Sequence, residues 1–143
     1  MPEARAAEAV RVARELLESE GEAALSMRRL AAAMGMRAPS LYKHVPDKAA
    51  LEVALIADGL AEAGAAMDAH RGSLAGLAAA YRAWATAHPH LYLLMTERPL
   101  PRERLPVGLE DSAAAALLEV TRDEHEARAL WAAAHGLVAL ELH

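Results

Sequence analysis

The chain of 143 residues contains neither cysteine nor phenylalanine. Without cysteine, disulfide bonds and thiolate metal sites are excluded. Residues that favour strands are scarce, and apolar and polar residues do not alternate over any stretch, which argues against β-structure. No apolar run approaches the ~20 residues that a membrane span needs. The start Met1-Pro2-Glu3 shows no basic or apolar leader, so we expect a soluble cytoplasmic protein without a signal peptide.

Much of the 55% apolar content is alanine, which has the highest helix propensity and a small side chain. Apolar residues recur at helical spacing, so we predict an all-α fold. Gly21 is expected to end the first helix, and Ser26, Asp47 and Ser73 are expected to cap the second, fourth and fifth. Residues 98–108, with three prolines, are predicted to form a loop. Helices are predicted at about residues 4–19, 27–34, 38–44, 48–69, 74–88, from 89, at 110–121 and 123–143.

The second and third predicted helices are short and are separated by a turn at Gly35, which is the spacing of a helix-turn-helix. Such a unit inserts the N-terminal end of its second helix into the DNA major groove. Leu41 and Val45, four residues apart, can anchor this helix to the core. Its polar side chains, among them Tyr42 and Lys43, can reach phosphates or base edges. A solvated connection between two other helices is the alternative interpretation.

The charge distribution supports the DNA-binding interpretation. The whole chain carries a formal net charge of −5, which argues against a general nucleic-acid binder. Residues 26–48 nevertheless contain five basic residues and one acidic residue, whereas residues 49–143 contain seven basic and thirteen acidic residues. Because attraction to phosphates acts over a Debye length of about 8–10 Å, the local positive charge decides what this segment attracts.

The segment "ALSMRRLAAAMGMRAPSLYKHVPDKAALEVAL", residues 24–55, resembles the DNA-binding head of the TetR family. Its most specific part is Leu41-Tyr42, His44 two residues later and Lys48 four residues beyond. The resemblance implies a three-helix DNA-binding domain at residues 1–48 and a helical ligand-binding and dimerisation domain at 49–143. It also implies a set of residues that face double-stranded DNA: Ser26, Arg28, Arg37, Ala38, Pro39, Ser40, Tyr42, Lys43, His44 and Lys48.

The family resemblance implies a sequence-specific transcriptional regulator. By its usual mode this would be a homodimeric repressor that a small-molecule effector releases from its operator. Arg37 departs from the Ser or Thr of many members, so the operator sequence cannot be transferred. "ALWAAAHGLVALEL", residues 129–142, is similar to the eighth helix of a subclass with a Trp…His-Gly signature, where it helps to form the dimer. The family's next helix has no counterpart before His143, so we expect either a shortened chain or a differently built dimer.

Aromatic, methionine and histidine side chains of the C-terminal part could line an effector pocket, although large apolar residues at helical spacing commonly form core. The candidates are Tyr81, Trp84, His88, Tyr92, Met95, Trp131 and His135. We expect no cofactor and no metal, because Pro89 separates the only His-x-His pair and no cysteine accompanies it. No catalytic motif is present, so no enzyme is expected. The competing hypothesis is a helical protein-interaction module that does not bind DNA.

Overall fold

The computed structural model describes residues 2–143, which form eight α-helices and two short 3-10 helices and contain no strand. The predicted all-α fold is therefore confirmed. The 3-10 helices lie at Glu22–Ala24 and Arg102–Arg104. The α-helices are α1 (Pro2–Glu20), α2 (Met27–Ala33), α3 (Ala38–Leu41), α4 (Lys48–Asp68), α5 (Leu74–Ala87), α6 (Pro89–Thr96), α7 (Leu109–Val120) and α8 (Glu124–Leu142).

Side-chain caps fix where several helices begin, as the sequence predicts. The hydroxyl of Ser26 accepts a hydrogen bond from the backbone N–H of Arg29, and that of Ser73 accepts one from Gly76. Asp47 accepts one from the N–H of Ala50 at 2.7 Å. Each of these bonds satisfies a backbone donor that the first turn of a helix leaves unpaired.

The third helix is shorter than predicted, because regular helix ends at Leu41 instead of at about His44. The following residues continue as tight turns, in which the N–H groups of His44 and Val45 both donate to the carbonyl of Leu41. Pro46 follows, and the residue before a proline is disfavoured in helical conformation. The chain therefore leaves the helix before Pro46 and enters α4 in a new direction.

The chain divides into two compact units that are not contiguous in sequence. The first contains the chain up to Ala57 and the segment His90–Leu105. Its core is formed by leucines and alanines of α1, α2, α3, α4 and α6, and α2 contacts both α1 and α3. The Nδ1 atom of His90 lies 3.0 Å from the carbonyl oxygen of Glu18, which ties the start of α6 to the end of α1.

The second unit contains residues Asp58–Pro89 and Pro106–His143, so that α4 contributes to both units. Within it α5, α7 and α8 pack against one another, and α4 approaches α7 closely at Gly64. A Cβ atom added to Gly64 would lie 3.1 Å from the Cα of Ala113, so a larger residue here would need the two helices to shift apart by a few tenths of an ångström. The predicted division of the chain at residue 48, into DNA-binding and ligand-binding domains, stays a prediction.

Candidate nucleic-acid interface

The helix-turn-helix begins with α2, which buries one face and exposes the other. Met27, Leu30 and Ala31 are buried, whereas Arg28 and Arg29 are exposed. The apolar residues recur at i, i+3 and i+4, so one stripe of the helix packs into the unit and the arginines remain in solvent. As a result α2 holds Arg28 at the surface, in its first turn.

The turn after α2 has the hydrogen bonds of a Schellman motif. The N–H of Met36 donates to the carbonyl of Ala31, and the N–H of Gly35 donates to Ala32. Gly35 has a φ of 66°, a left-handed conformation that glycine adopts without a steric penalty. This turn therefore places α3 at a defined angle after only four residues.

The next helix, α3, is held in the unit by its buried residues and exposes its polar ones. Leu41 and Val45 are buried, as their i, i+4 spacing predicts. Ser40 and Lys43 are exposed, and the side chain of Tyr42 is 49% exposed. Pro39 lies in the first turn of α3. Proline has no backbone N–H, but a donor at this position would have no partner within the helix, so Pro39 does not disturb the start of α3.

Some cations of this surface form ion pairs with acidic side chains of the protein, and others do not. Within residues 2–143, Arg28, Arg37 and Lys43 have no acidic partner, and all three are exposed. In contrast, Arg29 pairs with Glu20 at 2.6 Å, and Lys48 lies 3.5 Å from Glu52. The unpaired cations form an electrostatic footprint that suits phosphate groups.

All ten residues predicted to face DNA lie in the first unit, at or beside α2, α3 and the start of α4. Ser26, Ala38, His44 and Lys48 are partly buried, and the other six are exposed. The Nδ1 atom of His44 is buried without a hydrogen-bond partner among the described residues. The contacts of these ten residues with DNA stay a prediction.

The sequence analysis did not identify Glu52, whose carboxylate lies close to the ammonium group of Lys48. Glu52 contacts Lys48 and also lies 3.8 Å from Arg98, which in turn pairs with Glu22. The i, i+4 spacing of Lys48 and Glu52 was a usable signal. Nothing in the sequence signals Arg98, because it lies 46 positions further along the chain than Glu52.

The residues predicted for an effector pocket do not all belong to the same unit. Tyr92 and Met95 are on α6 in the first unit, and both are buried. The other five are in the second unit, either on α5 and α8, which contact each other, or, for His88, at the C-cap of α5. The rings of Trp131 and His135 stack at 5.3 Å, and Trp131 is 45% exposed.

Trp84 is the other aromatic of note in the second unit. Its ring centroid lies 5.5 Å from that of His88, and its indole Nε1 is buried without a hydrogen-bond partner among the described residues. A buried N–H without an acceptor is costly, so it is a natural donor to a bound molecule. The role of these residues in binding stays a prediction.

Residues 2–143 hold no group of three or more His, Asp or Glu side chains arranged to bind a metal ion. Among the helices of the same residues, none has the length and hydrophobicity that crossing a membrane requires.

Known proteins that resemble the chain share both its sequence pattern and its fold. Residues 9–55 match the family described as bacterial regulatory proteins, tetR family, and residues 74–143 match the family described as tetracyclin repressor-like, C-terminal domain. None of the curated protein sequences matches the chain significantly.

Solved structures give the same result. A candidate regulatory protein, SCO4313, is 30% identical with a TM-score of 0.70, over 96% of this chain and 83% of that one. A candidate TetR family transcriptional regulator from Streptomyces coelicolor A3(2) is 27% identical with a TM-score of 0.70, over 96% and 69%. A protein of unknown function from Rhodococcus sp. RHA1, 24% identical, shares the fold with a TM-score of 0.77, over 96% and 82%. The chain therefore belongs to the TetR family of DNA-binding transcriptional regulators.

Proposed function

We propose that this regulator is a repressor that binds a specific operator as a homodimer and leaves it when a small molecule binds. The observation that carries the DNA-binding part is the exposure of Arg28, Arg37 and Lys43 without acidic partners. An unpaired surface cation releases counterions when it meets a phosphate, and it gives up no internal ion pair. The repressor role follows the family's usual mode.

In the complex, the N-terminal end of α3 enters the major groove. Ser40, Tyr42 and Lys43 are exposed and lie within one turn of each other, so they can reach base edges and phosphates together. Lys48, at the start of α4, adds a phosphate contact to which the helix N-terminus contributes. Arg37, at the N-cap of α3, precedes this surface and reaches either a phosphate or a guanine edge.

The homodimer forms through a surface of α8 that we call the α8 face: Ala132, Ala133, Gly136, Leu137 and Leu140. Leu137 is 71% exposed and Leu140 is 81% exposed, and small residues lie beside them. Such a patch on one helix suits a second copy of the same helix, since small residues let two backbones approach and the leucines fill the seam. To read successive major grooves, such a dimer must hold its two recognition helices about 34 Å apart, one turn of DNA.

The effector binds in the second unit among the side chains of α5 and α8. Trp84 supports this placement, because its buried Nε1–H lacks an acceptor that a ligand could supply. The effector must bind the DNA-free arrangement more tightly than the DNA-bound one, otherwise operator affinity does not change. An apolar or aromatic molecule with one hydrogen-bond acceptor fits these side chains best.

The test is fluorescence anisotropy of the protein with labelled DNA from the region beside its own gene, at two salt concentrations and with scrambled DNA as competitor. Binding that resists the competitor supports a sequence-specific regulator and provides the assay for an effector search. Equal, salt-sensitive affinity for both DNAs contradicts this operator. In that case selection of binding sites from random DNA is the decisive second measurement, and a failure to enrich any sequence overturns the proposal.

A further inference from the structure

A small cavity lies within the first unit, beside the first turns of α4. Its volume is about 130 Å³, and it is open to solvent on one side. The N-terminal part of α4, the end of α6 and the loop that follows form its walls. Its apolar lining consists of Val53, Ile56, Leu94, Met95 and Leu100. A space of this size accommodates a group of about the size of benzene.

Charged side chains complete the lining of this cavity. They are Glu52, Arg98 and Arg104, which together carry a net charge of +1. Arg104 is exposed and has no acidic partner within residues 2–143, whereas Arg98 pairs with Glu22 and lies 3.8 Å from Glu52. The cavity therefore combines an apolar interior with one guanidinium that nothing in the described chain neutralises.

We propose that this cavity is a binding site for a small monocarboxylate with a compact apolar group, of the size of benzoate or hexanoate. The carboxylate would form a bidentate pair with the guanidinium of Arg104, which is pre-organised for this planar geometry. The apolar group would lie against Val53, Ile56 and Met95, where it is shielded from water.

The charge and size of the cavity favour this class over its alternatives. A single negative charge balances the lining, whereas a dianion such as phosphate would add one charge too many and leave the apolar walls in water. A neutral hydrocarbon would fill the space but leave Arg104 without a partner. The site is separate from the side chains of α5 and α8 proposed for the effector, and it stands whether or not the chain binds its operator.

The methionines allow a direct test in the absence of DNA. Met95 lines the cavity, while Met67 lies on α4 in the second unit. Protein labelled with ¹³C-methyl methionine is titrated with benzoate, hexanoate and uncharged benzyl alcohol, and Met95→Leu assigns the resonance. We expect both carboxylates to shift the Met95 signal saturably, with a Kd of about 1 mM for a ligand of this size, while the Met67 signal stays fixed. Benzyl alcohol should bind about tenfold more weakly.

Two variants and a matched control locate the site. Arg104→Gln should weaken benzoate binding about tenfold, because the carboxylate then has no guanidinium to pair with. Arg128→Gln removes another exposed arginine without an acidic partner, on α8, and should leave binding unchanged. Val53→Phe should fill the cavity and abolish the shift of Met95.

The proposal is wrong if Met95 does not respond to either carboxylate at ~10 mM, ten times the expected Kd. It is equally wrong if Arg104→Gln and Arg128→Gln bind benzoate alike. Benzoate that shifts Met67 and quenches the tryptophans, but not Met95, places a ligand in the second unit instead, because Trp84 and Trp131 both lie there. That result overturns this site while supporting the proposed effector site.

Discussion

The helix-turn-helix, residues 26–48, and the α8 face both expose side chains that have no partner in the described chain. The exposed groups are cations in the helix-turn-helix and apolar side chains on the α8 face. The helix-turn-helix exposes Arg28, Arg37 and Lys43 without acidic partners. The α8 face exposes the apolar side chains of Leu137 and Leu140. Free positive charge suits a polyanion, and exposed apolar surface suits another protein surface.

In the second unit three of the four arginines pair with acidic residues, and only Arg128 has no acidic partner in the described part of the chain. Arg82 pairs with Glu141, Arg71 pairs with Asp68 and Glu119, and Arg122 pairs with Glu126. Such exposed pairs stabilise a protein little, but they leave less positive charge for a nucleic acid. The helix-turn-helix therefore leaves a larger share of its cations unpaired than the second unit does.

The largest decrease in operator affinity is expected from removing the three unpaired cations of the helix-turn-helix. The triple variant R28Q/R37Q/K43Q should bind operator DNA about a thousandfold more weakly, since each good contact contributes ~1–3 kcal/mol. The slope of log affinity against log salt should fall by about 0.9 for each phosphate that the variant no longer neutralises. Anisotropy titrations at several salt concentrations measure both quantities.

The control for this variant is R104Q/R128Q. Both arginines are exposed and lack acidic partners within residues 2–143, but they lie outside the helix-turn-helix. We expect less than about a threefold decrease in affinity, because neither arginine is among the residues predicted to contact DNA and attraction to phosphates falls with distance. If the control weakens binding as much as the triple variant does, net charge determines affinity and the position of the free arginines does not.

The next effect concerns the α8 face. L137E/L140E places two carboxylates on each side of the proposed seam and should weaken dimerisation more than about a hundredfold, because an unpaired charge buried in an interface costs ~3–5 kcal/mol. Sedimentation velocity over a concentration series measures this change. Leu118→Glu, at an exposed leucine of α7, is the matched control and should dimerise normally. Equal dimerisation of both variants would place the interface elsewhere.

A smaller effect should come from the one DNA-facing cation that the protein partly neutralises. Lys48 lies 3.5 Å from Glu52, and Glu52 lies 3.8 Å from Arg98. Glu52→Gln should free Lys48 and raise operator affinity about two- to threefold, as expected for an exposed ion pair of ~0.5 kcal/mol. Arg98→Gln should lower affinity by a similar factor, because Glu52 then pairs with Lys48 alone.

The double variant E52Q/R98Q separates this coupling from simple removal of charge. If Arg98 acts through Glu52, Arg98→Gln should have no further effect once Glu52 is neutral. Arg104→Gln removes a nearby positive charge that forms no ion pair with Glu52, and it should change affinity less than Arg98→Gln does. Additive effects of the two changes would show that Arg98 acts on DNA directly.

How much could be read from the sequence depends on the range of the interactions. The helices and the capping residues Ser26, Asp47 and Ser73 were predicted correctly, because a cap bonds to an N–H only three residues away. The end of α3 was placed too late, since the turns after Leu41 have local apolar spacing that looks helical.

The long-range contacts of the first unit could not be predicted. The pairing of Arg98 with Glu22 and the contact of His90 with Glu18 join residues more than seventy positions apart. No periodicity encodes such contacts, because they depend on how α6 packs in the fold. The same limitation hid the cavity beside Met95, whose walls come from α4 and from a loop over forty residues later.

The smallest expected effect is a change in the pKa of Glu126, which tests whether the ion pair of Arg122 with Glu126 in the second unit forms in solution. The guanidinium of Arg122 and then its backbone N–H donate to the Glu126 carboxylate and lower the pKa of that group below its ordinary value. The folded state therefore holds this proton less tightly than the unfolded chain does. The stabilisation is complete above the unfolded pKa and is lost as the pH falls through the lower, folded pKa.

Arg122→Gln keeps the backbone donor but removes the charge, so it should bring the pKa of Glu126 part of the way back to its ordinary value. Carboxyl ¹³C NMR titration of the two proteins measures the shift directly. A pKa of Glu126 that is the same in both would mean that Arg122 is as free as Arg28 in solution, and the contrast between the two regions would then rest on the position of the arginines and not on their pairing.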